Sequence, residues 1–590
     1  MAETGDLITR IYANFRGADF RGEEINIVRS PDCLNVWKDY RETESIRTRP
    51  GMRLDVAFDE PIYGIFFFGG AKIVHSGNKL YRVSNGGAKT VLFSGVRAYK
   101  SQAFAYGDKL YIKDGMHYLV FDGSTIKDVE PYVPTTSIAR KPASYLGTVG
   151  GGGTVHEDVN LLTGRRINTF LATGKNMAED LGYFLDSQNI DEDFEPIVKV
   201  DGKVIAQKTT TTSNIAPFEE ITVNRYEVDY AKGLIKFTTY YTPPIPKTDG
   251  KDNVSIEFRK TIAGYSDRIH KCTLLQVFDN RVFFSGNPDF PNVVYHCSLD
   301  DPTYCSDLDY YNEGLDTAAV RGLVAGNNVL WVFREPSSAN TTVFYHTPTI
   351  DAEYGKIYPS QHSSVTTGCI GRAINFNDDI IFFSERGMEG ISGDITTEQV
   401  VAHRSSLVDR KLLGCADYRD MVLEEWEGYL LIILGNRVFL ADSRTAFTNE
   451  DHIEYDFFYW ELERDVYSTC VKDGVLYIGA DDGVYTLNDN EKDIESYWVT
   501  PKDKFKAPQK LKTTNKRGCV VEATGDITVY AKVEDTDFEP IGSYENITDY
   551  FACRIKRKKF KDIQLKFHSR TRFSLETATL ECFIGGYIKR

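Results

Sequence analysis

A few stretches of the chain carry residue types that could do chemistry. Thr173-Gly174-Lys175-Asn176 contains the Gly-Lys pair of a phosphate-binding loop. Such a loop cradles phosphate with backbone N–H groups after an earlier glycine and holds magnesium with a Ser or Thr after the lysine. Here that earlier glycine is missing, and Asn176 stands at the magnesium position. The glycines between Gly147 and Gly153 do not spell Gly-x-Gly-x-x-Gly, and no strand–loop–helix unit surrounds them, which argues against a dinucleotide fold. The acidic runs Asp191–Glu195 and Asp307–Asp309 could supply the paired carboxylates of a glycosidase, but runs of this kind belong to solvated loops. There is no His-Glu-x-x-His, no Gly-x-Ser-x-Gly, no sialidase-type Ser-x-Asp-x-Gly-x-Thr-Trp box and no Cys-x-x-Cys. The sharpest charged cluster is basic: Arg554, Lys556, Arg557, Lys558 and Lys559. It reads either as a patch for nucleic acid or an acidic partner or as an edge strand or loop guarded by charge. The chain therefore reads as non-enzymatic, with no cofactor and no metal site.

The elements behind these residues are strands. A turn of Gly, Asn or Asp followed by a short aromatic-rich strand recurs along the chain. It is seen at Gly77-Asn78, Gly107-Asp108, Asp279-Asn280, Asn327-Asn328, Asn377-Asp378, Glu427-Gly428 and Asp473-Gly474. These residue types tolerate the positive φ of tight hairpin turns, and the residues after them suit a pleated, half-buried surface. Asp279, Asn327, Asp378, Gly428 and Gly474 are spaced by 48, 51, 50 and 46 residues. A period of about 40–50 with about four strands per unit is the mark of a β-propeller blade, and about six to eight blades are expected. From Asn78 to Asp108 the interval is only 30, so the first repeat reads as truncated or as part of a closing strand set. Asp108 to Asp279 is 171, which leaves an insertion of about 120 residues beyond one blade.

The predicted fold is mainly β: a propeller with an inserted β-sandwich and a C-terminal β-domain. Residues 1–60 close or brace the propeller, 61–140 are its first part and 262–496 its second. The insertion spans 141–261, and its strands alternate with period two, as at Tyr226–Phe237. A short helix is expected near Asn176–Phe184. Residues 497–590 form the C-terminal domain.

Bulk properties narrow the function. The 590 residues carry 42% hydrophobic and 26% charged residues, an ordinary globular balance, and the 35 Phe and 35 Tyr exclude a disordered chain. The net charge is −16, which disfavours general binding to nucleic acid. From Pro501 to Arg590 there are 19 Lys and Arg against 12 Asp and Glu, so this end is basic and the rest strongly acidic. The ten cysteines are expected as buried thiols of a protein made in a reducing cytoplasm. No apolar run approaches bilayer length, and no apolar signal core opens the chain, so membrane insertion is not expected.

Three segments carry a resemblance: Gly17-Ala18-Asp19-Phe20, Arg29-Ser30-Pro31-Asp32-Cys33-Leu34-Asn35-Val36 and Arg47-Thr48-Arg49-Pro50-Gly51. With Asn160–Phe170 and the ending Phe583-Ile584-Gly585-Gly586-Tyr587, they resemble the packaged-DNA stabilisation proteins of short-tailed bacteriophages, also known as tail nozzle, tail hub or tail tubular proteins. The resemblance implies a virion structural protein of the tail, assembled in the host cytoplasm. It implies a homohexameric ring below the portal and its adaptor proteins, extending the channel through which DNA is held and ejected. Tail fibre or spike proteins would dock on it, and double-stranded DNA would pass through the lumen without specific binding. An acidic lumen would suit that passage, because like charge lets the duplex slide. Two other readings stand beside it: a carbohydrate-binding or glycan-cleaving propeller of a tail, with carboxylates and aromatics at the propeller axis, and a monomeric propeller scaffold that binds another protein.

Overall fold

The computed structural model describes residues 6–41, 45–144, 153–171, 181–213, 215, 219–248, 250–338, 341–352, 355–392, 400–415, 418–449, 452–555 and 559–588. The protein is mainly β and is built from many small sheets. Among the described residues, seven of them share one plan of four strands in up-and-down order. In chain order, the first six begin at Ile62–Phe68, Gln102–Tyr106, Leu274–Phe278, Val320–Gly326, Ala373–Phe376 and Val422–Trp426. The seventh takes three strands from Ser468–Lys472, Val475–Gly479 and Gly483–Asp489, and its fourth, Gly51–Ala57, from near the N-terminus.

The turn chemistry explains why these sheets form where they do. Asp279-Asn280, Asn327-Asn328, Asn377-Asp378, Glu427-Gly428 and Asp473-Gly474 all have positive φ at both residues and join the first two strands of their sheets. Paired positive φ matches the right-handed twist of the flanking strands. One expectation is corrected here. The first repeat is complete, because Gly77-Asn78 joins the second and third strands of its sheet, whereas its counterpart turn is Gly69-Gly70, also at positive φ. The interval of 30 had compared unlike turns.

The chain separates into two compact units. One comprises Met1–Leu110, Phe121–Ile126 and Gly314–Arg590; the other comprises Tyr111–Val120 and Lys127–Glu313. In the second unit, a six-stranded sheet includes Arg165–Phe170, Ile197–Val200 and Val254–Arg259, and a four-stranded sheet includes Leu181–Phe184, Tyr226–Asp229 and Leu234–Phe237. Phe170, Val198 and Ile256 of one sheet pack with Tyr183, Ile235 and Phe237 of the other in a single core. The helix expected near 176–184 is not formed at its C-terminal end, where Leu181–Phe184 pairs as a strand with Leu234 and Ile235. Residues 176–180 lie outside the described residues.

In the first unit an eleven-stranded sheet gathers the C-terminal strands, chief among them Lys510–Val533 and Phe573–Tyr587. It also contains four strands from the N-terminal fifty residues: Leu7–Tyr12, Cys33–Leu34, Val36–Trp37 and Ile46–Thr48. Residues 497–590 are thus not self-contained; the N-terminal segment completes their sheet as well as the seventh four-stranded one. All ten cysteines are free thiols, nine of them buried and Cys470 partly so. Among the described residues, no helix is long and apolar enough to cross a membrane.

Candidate functional site

The N-terminal segments singled out in the sequence meet at one seam of the first unit. It lies between the strand His452–Glu461 and the strands Ser496–Val499 and Phe573–Tyr587. Asn35 sits at φ +53°, a left-handed conformation that Asn tolerates better than most residues. Its N–H donates to the Tyr459 carbonyl at 3.0 Å, and its side-chain amide donates to the Glu495 carbonyl at 2.9 Å. Its side-chain oxygen accepts from the Glu461 N–H and from Arg49 Nε, both at 2.9 Å. The Arg49 side chain is 1% exposed; it also donates to the carbonyls of Pro50 and Glu461 at 2.9 Å and approaches the Glu463 carboxylate at 3.4 Å. Nearby, Ser30 Oγ donates to the Val499 carbonyl at 2.7 Å, and Arg16 and Arg29 both hold the buried Asp456 carboxylate. Gly17 sits at φ +97°, where a Cβ would collide with the Phe457 carbonyl oxygen.

Aromatic packing reinforces the seam. Trp37 stacks on Trp426 at 5.3 Å and meets Trp460 edge-on at 5.8 Å, and Phe15 packs on Trp498 at 5.2 Å. The Trp460 indole N–H donates to the Val36 carbonyl at 3.0 Å, so the ring is anchored at both its apolar body and its polar edge. A similar buried asparagine works in the second unit. Asn160 donates to the carbonyls of Tyr132 and Thr303 at 2.9 Å and accepts from the N–H groups of Leu162 and Cys305 at 3.1 Å. Both asparagines tie together chain segments far apart in sequence.

A second feature of the first unit is a pocket of about 270 Å³ at the ends of the first strands of several four-stranded sheets. Those first strands neighbour one another from sheet to sheet, as Ser468–Lys472 does Ile62–Phe68 and Val422–Trp426. Lys100 and Arg372 line the pocket with Glu424, Tyr63 and Tyr467. Lys100 Nζ donates to the carbonyls of Asp420 and Met421, the latter at 3.2 Å. Burial, with Arg372 adding like charge, brings the Lys100 ammonium down to about 8. Burial also pulls Arg372 below its usual value. The Tyr99 hydroxyl donates to Asp420 Oδ1 at 2.6 Å and is pushed up to about 12, first by burial and then by that bond. Burial raises Glu424 as well, while a 2.9 Å bond from Thr469 Oγ1 opposes the shift. The pocket thus presents two cations and one carboxylate that burial shifts toward its neutral form. No motif marks these residues, because they come from separate repeats.

Other sequence candidates are dispersed. In the basic run, Arg554 is exposed while Ile555 is buried, and Lys559 is exposed on a short strand paired with Lys512 and Thr513. Lys556, Arg557 and Lys558 lie outside the described residues, as do Thr173–Asn176 and Gly147–Gly152. Asp191 and Asp193 are both tied to Arg259 as ion pairs. Asp309 is raised to about 6, chiefly by burial, with Asp158 and Asp307 adding negative charge against the opposing pull of Arg281. Among the described residues no group of three or more His, Cys, Asp or Glu is placed to hold a metal ion.

No protein-family model matches the chain, and no curated protein does. Solved structures similar to it include BamB from Moraxella catarrhalis, at 10% identity over 77% of this chain and 92% of that one, with a TM-score of 0.32. The computationally designed Ika8 protein is 11% identical over 74% of this chain and 98% of its own, with a TM-score of 0.28. An exo-β-1,3-galactanase from Phanerochaete chrysosporium is 9% identical over 52% of this chain and 94% of its own, with a TM-score of 0.21.

Proposed function

We propose that this chain is a structural component of a bacteriophage tail, a nozzle or hub subunit that assembles as a homohexameric ring beneath the portal and its adaptor. In this reading the seven four-stranded sheets are the blades of one propeller. Residues 141–261 are an inserted β-sandwich, and the interlaced N- and C-terminal strands form the body to which the propeller is fixed. The observation that carries the reading is the seam. The segments that resemble the packaged-DNA stabilisation family are occupied in buried hydrogen bonds and ion pairs that lock distant strands together. A part that must hold DNA under pressure needs that kind of rigidity, since a satisfied buried polar network fixes one arrangement of the backbone. The acidic bulk of the chain serves a DNA channel, and the exposed Arg554 and Lys559 belong to a basic face for an acidic partner such as a neighbouring tail protein.

Genome retention tests the function. Particles assembled with the chain should keep their DNA after packaging. Particles assembled without it should package DNA and then lose it; retention in its absence would refute the proposal.

A further inference from the structure

We propose that the pocket lined by Lys100 and Arg372 is a binding site for a compact oxyanion of the phosphate class. This goes beyond the structural role, which requires no small ligand.

The Arg372 guanidinium makes no hydrogen bond or ion pair among the described residues, although it carries five N–H donors into a recessed pocket. Arg372 is half-buried, and a guanidinium with donors to spare in a recess matches an anion that can accept from several of them at once. The Asp420 carboxylate attracts both cations, but it makes no ion pair with Arg372, and one of its oxygens accepts from the Tyr99 hydroxyl. Lys100 spends donors on the Asp420 and Met421 carbonyls, and an ammonium has three. Two adjacent cations repel each other, and Arg372 lowers the proton affinity of Lys100 here.

Shape and chemistry narrow the ligand. About 270 Å³ holds a phosphate with a few waters or a phosphate bearing a small polar group. Planar guanidinium forks match the oxygens of phosphate or carboxylate in a bidentate manner, and a lysine adds a point charge. The hydroxyls of Ser101 and Ser468 already meet His75 Nδ1 and the Ile62 carbonyl, so they frame the pocket and leave the two cations as its main ligands.

The test uses the full chain, with inorganic phosphate and glucose 6-phosphate as probes. Calorimetry on the wild type should show binding in the millimolar range or tighter, with a rise in melting temperature as ligand is added. Arg372→Gln should weaken binding at least tenfold and abolish the thermal shift, while its melting temperature in phosphate-free buffer equals or exceeds that of the wild type. Lys100→Gln should weaken binding several-fold. Binding of inorganic phosphate assigns the site to the free ion; binding of the sugar phosphate alone assigns it to a phosphorylated metabolite. No binding of either probe overturns the proposal. So does binding that Arg372→Gln leaves unchanged, or a fall in the ligand-free melting temperature of that variant, which would make Arg372 a structural residue.

Discussion

Arg49 and Asn35 illustrate how single residues hold this protein together. Removing the guanidinium by Arg49→Met leaves Asn35 Oδ1 and two backbone carbonyls without that donor, so the variant should lose about 3 kcal/mol of stability in urea unfolding. Asn35→Ala should cost a similar amount, and the double variant should cost clearly less than the two singles together, because both break one network. Additive losses would show that the two act independently. His403 tests a different kind of coupling. Its bonds to Asp409, at 2.6 Å, and to Glu389 raise it from 6.5 to about 9. A folded-state value above the unfolded one stabilises most at low pH. The contribution is complete below about pH 6.5 and is lost as pH rises through about 9. The melting temperature of His403→Gln should therefore lie below that of the wild type at pH 6, and the gap should close by pH 9.5. Little of this residue scale was legible in the sequence. Asn35 and Arg49 stood in conspicuous motifs, but what they touch depends on strands more than 400 residues away. Lys100 and Arg372 stood in no motif at all.

At the scale of elements, the turns were the readable part. Asn, Asp and Gly at positive φ mark hairpins locally, and five of them returned at a steady interval, so the repeat could be seen before any pairing was known. The error over the first repeat has the same origin. Each sheet has more than one tight turn, and a Gly-Asn pair looks alike at either. The pairing of Gly51–Ala57 with Gly483–Asp489, and of Leu7–Tyr12 with the last strand, left no periodic trace, because contacts across the whole chain follow no spacing rule. The closing strand yields a paired prediction. Val56 is buried against Ile62 and Val484, whereas Leu54 on the same strand is half exposed. Val56→Asp puts an unpaired charge into that core and should cost at least about 3 kcal/mol, exposing the amides of residues 483–489 to hydrogen exchange. Leu54→Asp should stay within about 0.5 kcal/mol of the wild type. Equal effects would mean that the strand does not close the sheet as described.

For the whole molecule, both ends of the chain enter one sheet and the N-terminal segment also completes the last four-stranded one, so folding of these parts waits for the complete chain. Such long-range closure is slow to form, and it ties the stability of one end to the other. Charge is divided along the same chain: the C-terminal 90 residues are basic by count and the remainder strongly acidic. Subunits of this kind can meet head to tail, with one patch facing the left neighbour and another the right, and a closed ring satisfies both. The ring is the central claim, and native mass measurement with electron microscopy addresses it most directly, on the protein alone and mixed with a portal–adaptor complex. The account predicts six copies in a closed ring coaxial with the portal, formed either by the protein alone or only on the complex. A protein that stays monomeric in the presence of the complex would contradict it.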